Sequence, residues 1–228
     1  MIARGVTRLG ARQGRVAALG VLALSLLTVS GCNLVAFFAM AADKTIPKEV
    51  DAMYAGLVGK DFAVVAMTDR MVEADFPGVV PKVISDVSER LAQEKAVDAS
   101  GYVPADRVMA YLYSHPNWVV RPMSELATAL KVQRLIVIEV TEYRLNEPGN
   151  SYIWGGVAAG IVQVYEADSP LPDDPAFDRT IQVQFPDGTN TGRDQVAGNV
   201  VGTELVRRFV DRAVWLFYNH EEPKDLKY

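Results

Sequence analysis

The chain has 228 residues, half of them hydrophobic and 22% charged, which excludes a polypeptide too polar to bury a core. It carries 23 Lys and Arg against 28 Asp and Glu, a formal charge of −5, and that sign disfavours nucleic-acid binding, which needs clustered positive charge. One cysteine excludes an intramolecular disulfide.

In chain order, the first feature is a leader. Arg4, Arg8, Arg12 and Arg15 hold all the charge of residues 1–31, and Val16 to Val29 holds none. A basic start, a short apolar run and small residues before a cleavage point make the layout of a secretory signal. The run is short for a spanning helix. Val29-Ser30-Gly31-Cys32, which closes it, resembles a bacterial lipobox, and the only cysteine of the chain stands at the position a lipobox requires. The resemblance implies cleavage before Cys32, a diacylglyceryl group on its sulfur and a further acyl chain on its nitrogen. One acyl chain anchors marginally, whereas two or more attach a protein lastingly. By the same resemblance Asn33, where an Asp would favour inner-membrane retention, points to the outer membrane rather than the inner. An uncleaved signal anchor, with Leu34 to Ala42 extending the apolar stretch past Asn33, stays open as the alternative.

Without residues 1–31, the chain keeps 19 basic and 28 acidic residues, a formal charge of −9. Residues 32–59 read as the lipidated N-terminus and a tether interrupted by Pro47, Gly56 and Gly59. Residues 60–220 are long enough for one core and short for two, and 221–228 read as a tail.

Phe62 to Met67 is an unbroken apolar run, as in a strand buried on both faces. Val80, Val83, Ile84, Val87 and Leu91 then recur at helical spacing, with Lys82, Asp86, Glu89 and Arg90 largely opposite. Pro104 and Pro122 each open a short helix. The first has Val108, Leu112 and Tyr111 as its apolar side and stops at His115-Pro116; the second carries Leu126, Ala129 and Leu130. Between them Trp118-Val119-Val120 reads as a brief strand. Arg134 to Leu145, Ser151 to Ala167 and Arg179 to Phe185 are rich in β-branched or alternating residues and predict an antiparallel meander. Gly155, Gly156 and Gly160 mark a bulge or sharp coil within it. A last helix, from about Asp194 to Asn219, has Val201, Leu205, Phe209, Ala213, Leu216 and Phe217 on one face.

The order strand, three helices, three strands, helix predicts an α/β (α+β) fold: a mixed sheet of about four to five strands flanked by helices. It resembles the α/β domain shared by the TolB N-terminal module and the CsgG and LpoB envelope lipoproteins. Lys60 to Met67, Leu126 to Glu139 and the meander to Phe185 carry the likeness. There is no pore-forming insertion of the CsgG kind and no propeller as in TolB, so the resemblance implies fold and envelope compartment only.

Chemistry is sparse. Nucleophilic hydrolysis needs a nucleophile, a base and an orienting group together. His115 reads as a helix-end residue and His220 as part of a frayed end beside Glu221 and Glu222. Asp168, Asp173, Asp174 and Asp178, broken by prolines, read as a solvated loop without the spacing of a calcium site. Gly155 to Gly160 lacks the Lys-Ser/Thr of a phosphate loop. No catalytic set, metal site or cofactor is expected. The favoured reading is a membrane-anchored periplasmic protein that binds another envelope protein, with Tyr111, Trp118 and Trp154 as its partner surface. The alternative is a small-ligand or hydrolytic domain built on Asp69, Glu139 and Tyr143.

Overall fold

In a computed structural model, residues 48–188 and 191–222 are described. The expected signal peptide, the expected lipobox with Cys32, the first part of the expected tether and the end of the expected tail lie outside them. The chain divides into two units, and the larger, Glu49 to Glu222, holds the fold.

Its elements are β1 (Lys48–Val50), β2 (Asp61–Thr68), α1 (Arg70–Asp75), α2 (Val79–Gln93), β3 (Gly101–Tyr102), α3 (Ala105–Ser114), α4 (Met123–Leu130), β4 (Arg134–Asn146), β5 (Trp154–Glu166), β6 (Pro175–Phe185), α5 (Gly198–Val214) and β7 (His220–Glu222). The five-stranded sheet has the order β3-β2-β4-β5-β6, and β1 pairs with β7 in a separate ribbon. β2 runs parallel to β3 and β4, with Val64 beside Ile136. β4, β5 and β6 form the expected antiparallel meander, pairing Ile138 with Val162 and Ala158 with Val183. The fold class is the predicted one: a mixed sheet with helices packed on it.

Burial along each strand shows where the layers lie. Phe62 to Ala66 and Arg134 to Ile138 are buried without alternation, so the sheet is covered on both faces at β2 and the start of β4. In β6 only Ile181 and Val183 are buried, while Thr180, Gln182 and Gln184 face solvent. One face of the sheet is therefore open at that edge. α2 packs on β2 and α5, and α5 packs on β5 and β6. The apolar stripe of α5 is the predicted one: Val201, Leu205, Phe209 and Ala213 are all buried.

Gly160 lets α5 approach the sheet. A Cβ there would lie 2.5 Å from the Glu139 carbonyl oxygen and 2.9 Å from Cζ of Phe209. The pairing register also shifts here, between Val140 and Glu142 of β4, opposite Gly160 and Ala159. The expected irregularity is real, but the inserted residue sits on the partner strand.

Other boundaries differ from expectation. Trp118 to Val120 is a turn of 3₁₀ helix, not a strand, closed by Val120 N–H to Asn117 O and Arg121 N–H to Trp118 O. α5 starts at Gly198 because residues 192–196 form a turn, with Gln195 and Val196 N–H both donating to Gly192 O. Residues of the expected tether are already folded: Met53 and Tyr54 N–H donate to Leu216 O, and Leu57 is fully buried. The small elements β1, β3, β7 and α1 had no periodic signature to betray them.

Candidate functional site

The residues expected to form a partner surface are not together and not exposed. Trp118 and Trp154 are each 7% exposed. The Trp154 indole donates to Val196 O at 2.8 Å, with the Arg193 guanidinium 4.7 Å over its ring, so it fastens the start of β5 to the segment before α5. Trp118 is among the residues that line a crevice of about 170 Å³ among α1, α2 and α3. Tyr111 is half-buried and stacks on His115 at 4.2 Å. Trp118 thus belongs to the core and Tyr111 packs against it, while Trp154 is buried apart from it. The most exposed aromatics among the described residues are their neighbours, Tyr113 at 79% and Tyr152 at 81%. Helical phase would have found Tyr113, since Tyr111 and Leu112 follow buried Val108 at three and four residues and Tyr113 does not.

Asp69, Glu139 and Tyr143 serve separate structural ends. The Asp69 carboxylate caps α1, accepting from Met71 and Val72 N–H at 2.8 Å each. Glu139 is exposed in the middle of β4. The Tyr143 hydroxyl donates to Gly202 O at 3.0 Å, its ring lies edge-on to Phe76 at 4.8 Å, and burial raises its pKa to about 12.

His115 does sit at a helix end, with Nδ1 2.9 Å from Ser114 Oγ and 3.0 Å from Tyr111 O. His220, expected to fray, is packed: it stacks on Trp215 at 4.8 Å, and its Nε2 is 3.1 Å from Glu222, which also pairs with Arg212. Among the described residues no group of His, Cys, Asp or Glu is placed to hold a metal ion.

Of the aspartates expected in a solvated loop, Asp178 lies on β6 and accepts from Gln163 Nε2 at 2.9 Å, and Asp168 and Asp173 are also anchored. Asp168 pairs with Lys60 at 2.7 Å and with Arg134, whose side chain is almost wholly buried. Arg134 Nε also donates to Gly56 O at 2.9 Å and lies 3.6 Å from Glu166, which accepts from the Tyr54 hydroxyl at 2.7 Å. This clasp joins the start of β4, the end of β5 and residues 54–60. Hydrogen bonds from Lys60 and then Arg134 lower the Asp168 pKa to about 2. Burial and the bond to Glu166 push the Tyr54 hydroxyl up. Asp173, beyond it, accepts from Ser124 N–H at 2.8 Å.

The described surface also holds an apolar cleft of about 450 Å³ where the first turns of α2 and α5 meet the far end of β4. Phe76, Val79, Tyr143, Leu145 and Val206 form its walls, and Lys82 is the one charged residue lining it. Gly198 and Gly202 line the α5 side. Gly202 is within α5, where glycine costs about 1 kcal/mol against alanine. A Cβ on it would meet Tyr143 Oη at 3.5 Å and Leu145 at 3.9 Å, ordinary contacts, so the packing of this domain does not demand glycine there.

No family model and no curated protein matches the chain. It is similar to several solved structures at low identity. The lipoprotein GNA1162 of Neisseria meningitidis is 11% identical, with a TM-score of 0.43, over 67% of this chain and 96% of that one. PelC of Paraburkholderia phytofirmans, solved as a dodecamer, is 11% identical, with a TM-score of 0.43, over 76% and 97%. Protein XCC0632 of Xanthomonas campestris, of the DUF330 family, is 10% identical, with a TM-score of 0.43, over 75% and 89%. Likenesses this remote bear on neither site nor function.

Proposed function

We propose that this chain is a lipoprotein of the bacterial envelope, held by acyl chains on Cys32 with its α/β body facing the periplasm, and that the body binds or helps assemble another envelope protein. The observation that carries this reading is the placement of the sole cysteine, directly after Val29-Ser30-Gly31 at the close of an uncharged run preceded only by arginines. The net charge of −9 on residues 32–228 suits a periplasmic module and gives no stripe for nucleic acid. No helix among the described residues is long and apolar enough to cross a membrane.

The full chain, expressed in a diderm bacterium fed an alkyne palmitate, tests it. The wild type takes up label and fractionates with the outer membrane, and Asn33→Asp moves it to the inner membrane. Cys32→Ala takes up no label and accumulates at precursor mass. Label on Cys32→Ala, or its normal processing, overturns the anchor. Crosslinking in the intact envelope tests the second half of the proposal: a specific protein adduct is expected, and none overturns it.

A further inference from the structure

We propose that the cleft between α2 and α5 is a binding site for the carboxylate and chain of a fatty acid. Its volume of about 450 Å³ lies in the range of small-molecule sites, and its walls are apolar side chains from three elements. Such walls suit an alkyl chain, whose burial is favourable in proportion to the methylenes removed from water. The charge that borders the cleft is a lysine and its ion-pair partner, of which only the lysine lines it. Lys82 is the only charged residue lining it, and no carboxylate does. The Lys82 ammonium rests 2.8 Å from Asp86 one turn along α2, with about half of its side chain exposed. A partly exposed pair of this kind contributes little, so a carboxylate in the cleft would compete with Asp86 for the ammonium at small cost. The first turns of α2 and α5, which also line it, contain no acidic residue and have no side-chain cap, so their N–H groups add to the same field.

Gly202 is the second, independent sign. It weakens α5 where neither a close neighbour nor a positive φ requires glycine, and the space left by its missing side chain opens into the cleft. A helix that keeps such a gap permits close approach by something outside the domain. A single-chain carboxylate fits all three features: the apolar walls, the lone cation and the gap. The site is separate from Cys32, and its failure would leave the lipid anchor untouched.

A diazirine-bearing dodecanoate, photolysed with the full chain in phosphatidylcholine nanodiscs, tests the site by mapping of labelled peptides. Label is expected on the segments 76–82, 143–145 and 198–206, displaced by dodecanoate and far less by dodecanol or dodecylamine. Lys82→Gln should lower labelling about tenfold, as for loss of one charge-assisted contact, and Lys82→Arg should keep it within about twofold. Gly202→Leu should abolish it; should that chain fail to fold, the Lys82 pair still decides. Label spread evenly over the protein overturns the proposal. So does equal displacement by dodecylamine, which would mean an apolar groove blind to charge. An amine-reactive crosslinker that joins Lys82 to a second protein in the intact envelope, with no dodecanoate labelling, overturns it in favour of protein docking.

Discussion

Ser88 is fully buried in α2, and its hydroxyl has no hydrogen-bond partner among the described residues. An unsatisfied buried hydroxyl costs more than it returns, so Ser88→Ala should stabilise the protein by about 1 kcal/mol, read as a rise in the urea midpoint at unchanged slope. Asp168 is the opposite case, a carboxylate whose two cationic partners lower its pKa to about 2. A depressed folded pKa means the stabilisation is present above the unfolded value near 4 and is lost as pH falls toward 2. The side chain is about 40% exposed, so solvent screening reduces the effect to about 1 kcal/mol. Asp168→Asn should therefore be less stable than the wild type at pH 7, and the gap should close between about pH 4 and pH 2 in urea titrations. A gap that stays constant over that range would mean the carboxylate is not what holds Arg134.

At the scale of elements, the contact between α5 and β5 turns on one missing side chain. Gly160→Ala would put a methyl group 2.5 Å from the Glu139 carbonyl and 2.9 Å from the Phe209 ring. It should cost about 2–3 kcal/mol in chemical denaturation. Truncating Phe209 in the same chain should not restore stability, because the shorter contact is with backbone that cannot turn aside. Recovery in the double variant would place the strain in the ring. The long elements are legible in the sequence because each buries a repeating face: the α5 stripe, the unbroken β2 run and the alternation in β6 all stand out in the order of residues alone. Short pieces do not. β3, with two residues, and α1, with six, carry no period, and the Trp118 turn looks like a strand because three bulky residues in a row fit either state. The candidate site is less legible still. Trp118 and Trp154 stand out for size, and size is also what fills a core. The cleft is made by residues from three separate stretches, and its clearest single sign is a glycine inside a helix.

For the whole molecule, the folded body begins earlier than the tether expected from the sequence allows. Pro47, Gly56 and Gly59 make residues up to 59 look like stalk, because such residues punctuate a chain whether it is tethered or packed. The structure assigns residues 52–57 to the body through long-range contacts that leave no local pattern. Ala52 N–H donates to Asn219 Oδ1, Met53 and Tyr54 N–H share Leu216 O, and the Tyr54 ring packs on Phe177 and Phe217. Tension from a membrane anchor would thus reach the fold at the contacts that join this segment to the end of α5 and to the Arg134 clasp. Leu57→Ala should cost about 2–5 kcal/mol, since the leucine is fully buried. Tyr54→Phe, which removes only the bond to Glu166, should cost about 1 kcal/mol. The two side chains are close in sequence and share the segment, so their effects should not add, and a double variant should show coupling of at least about 0.5 kcal/mol. Native-state hydrogen exchange distinguishes a clasp from a passive stalk. If the segment belongs to the body, Leu57→Ala will lower protection at the Met53 and Tyr54 amides and also at β4 and β5. Loss confined to residues 53–57 would return the segment to the tether.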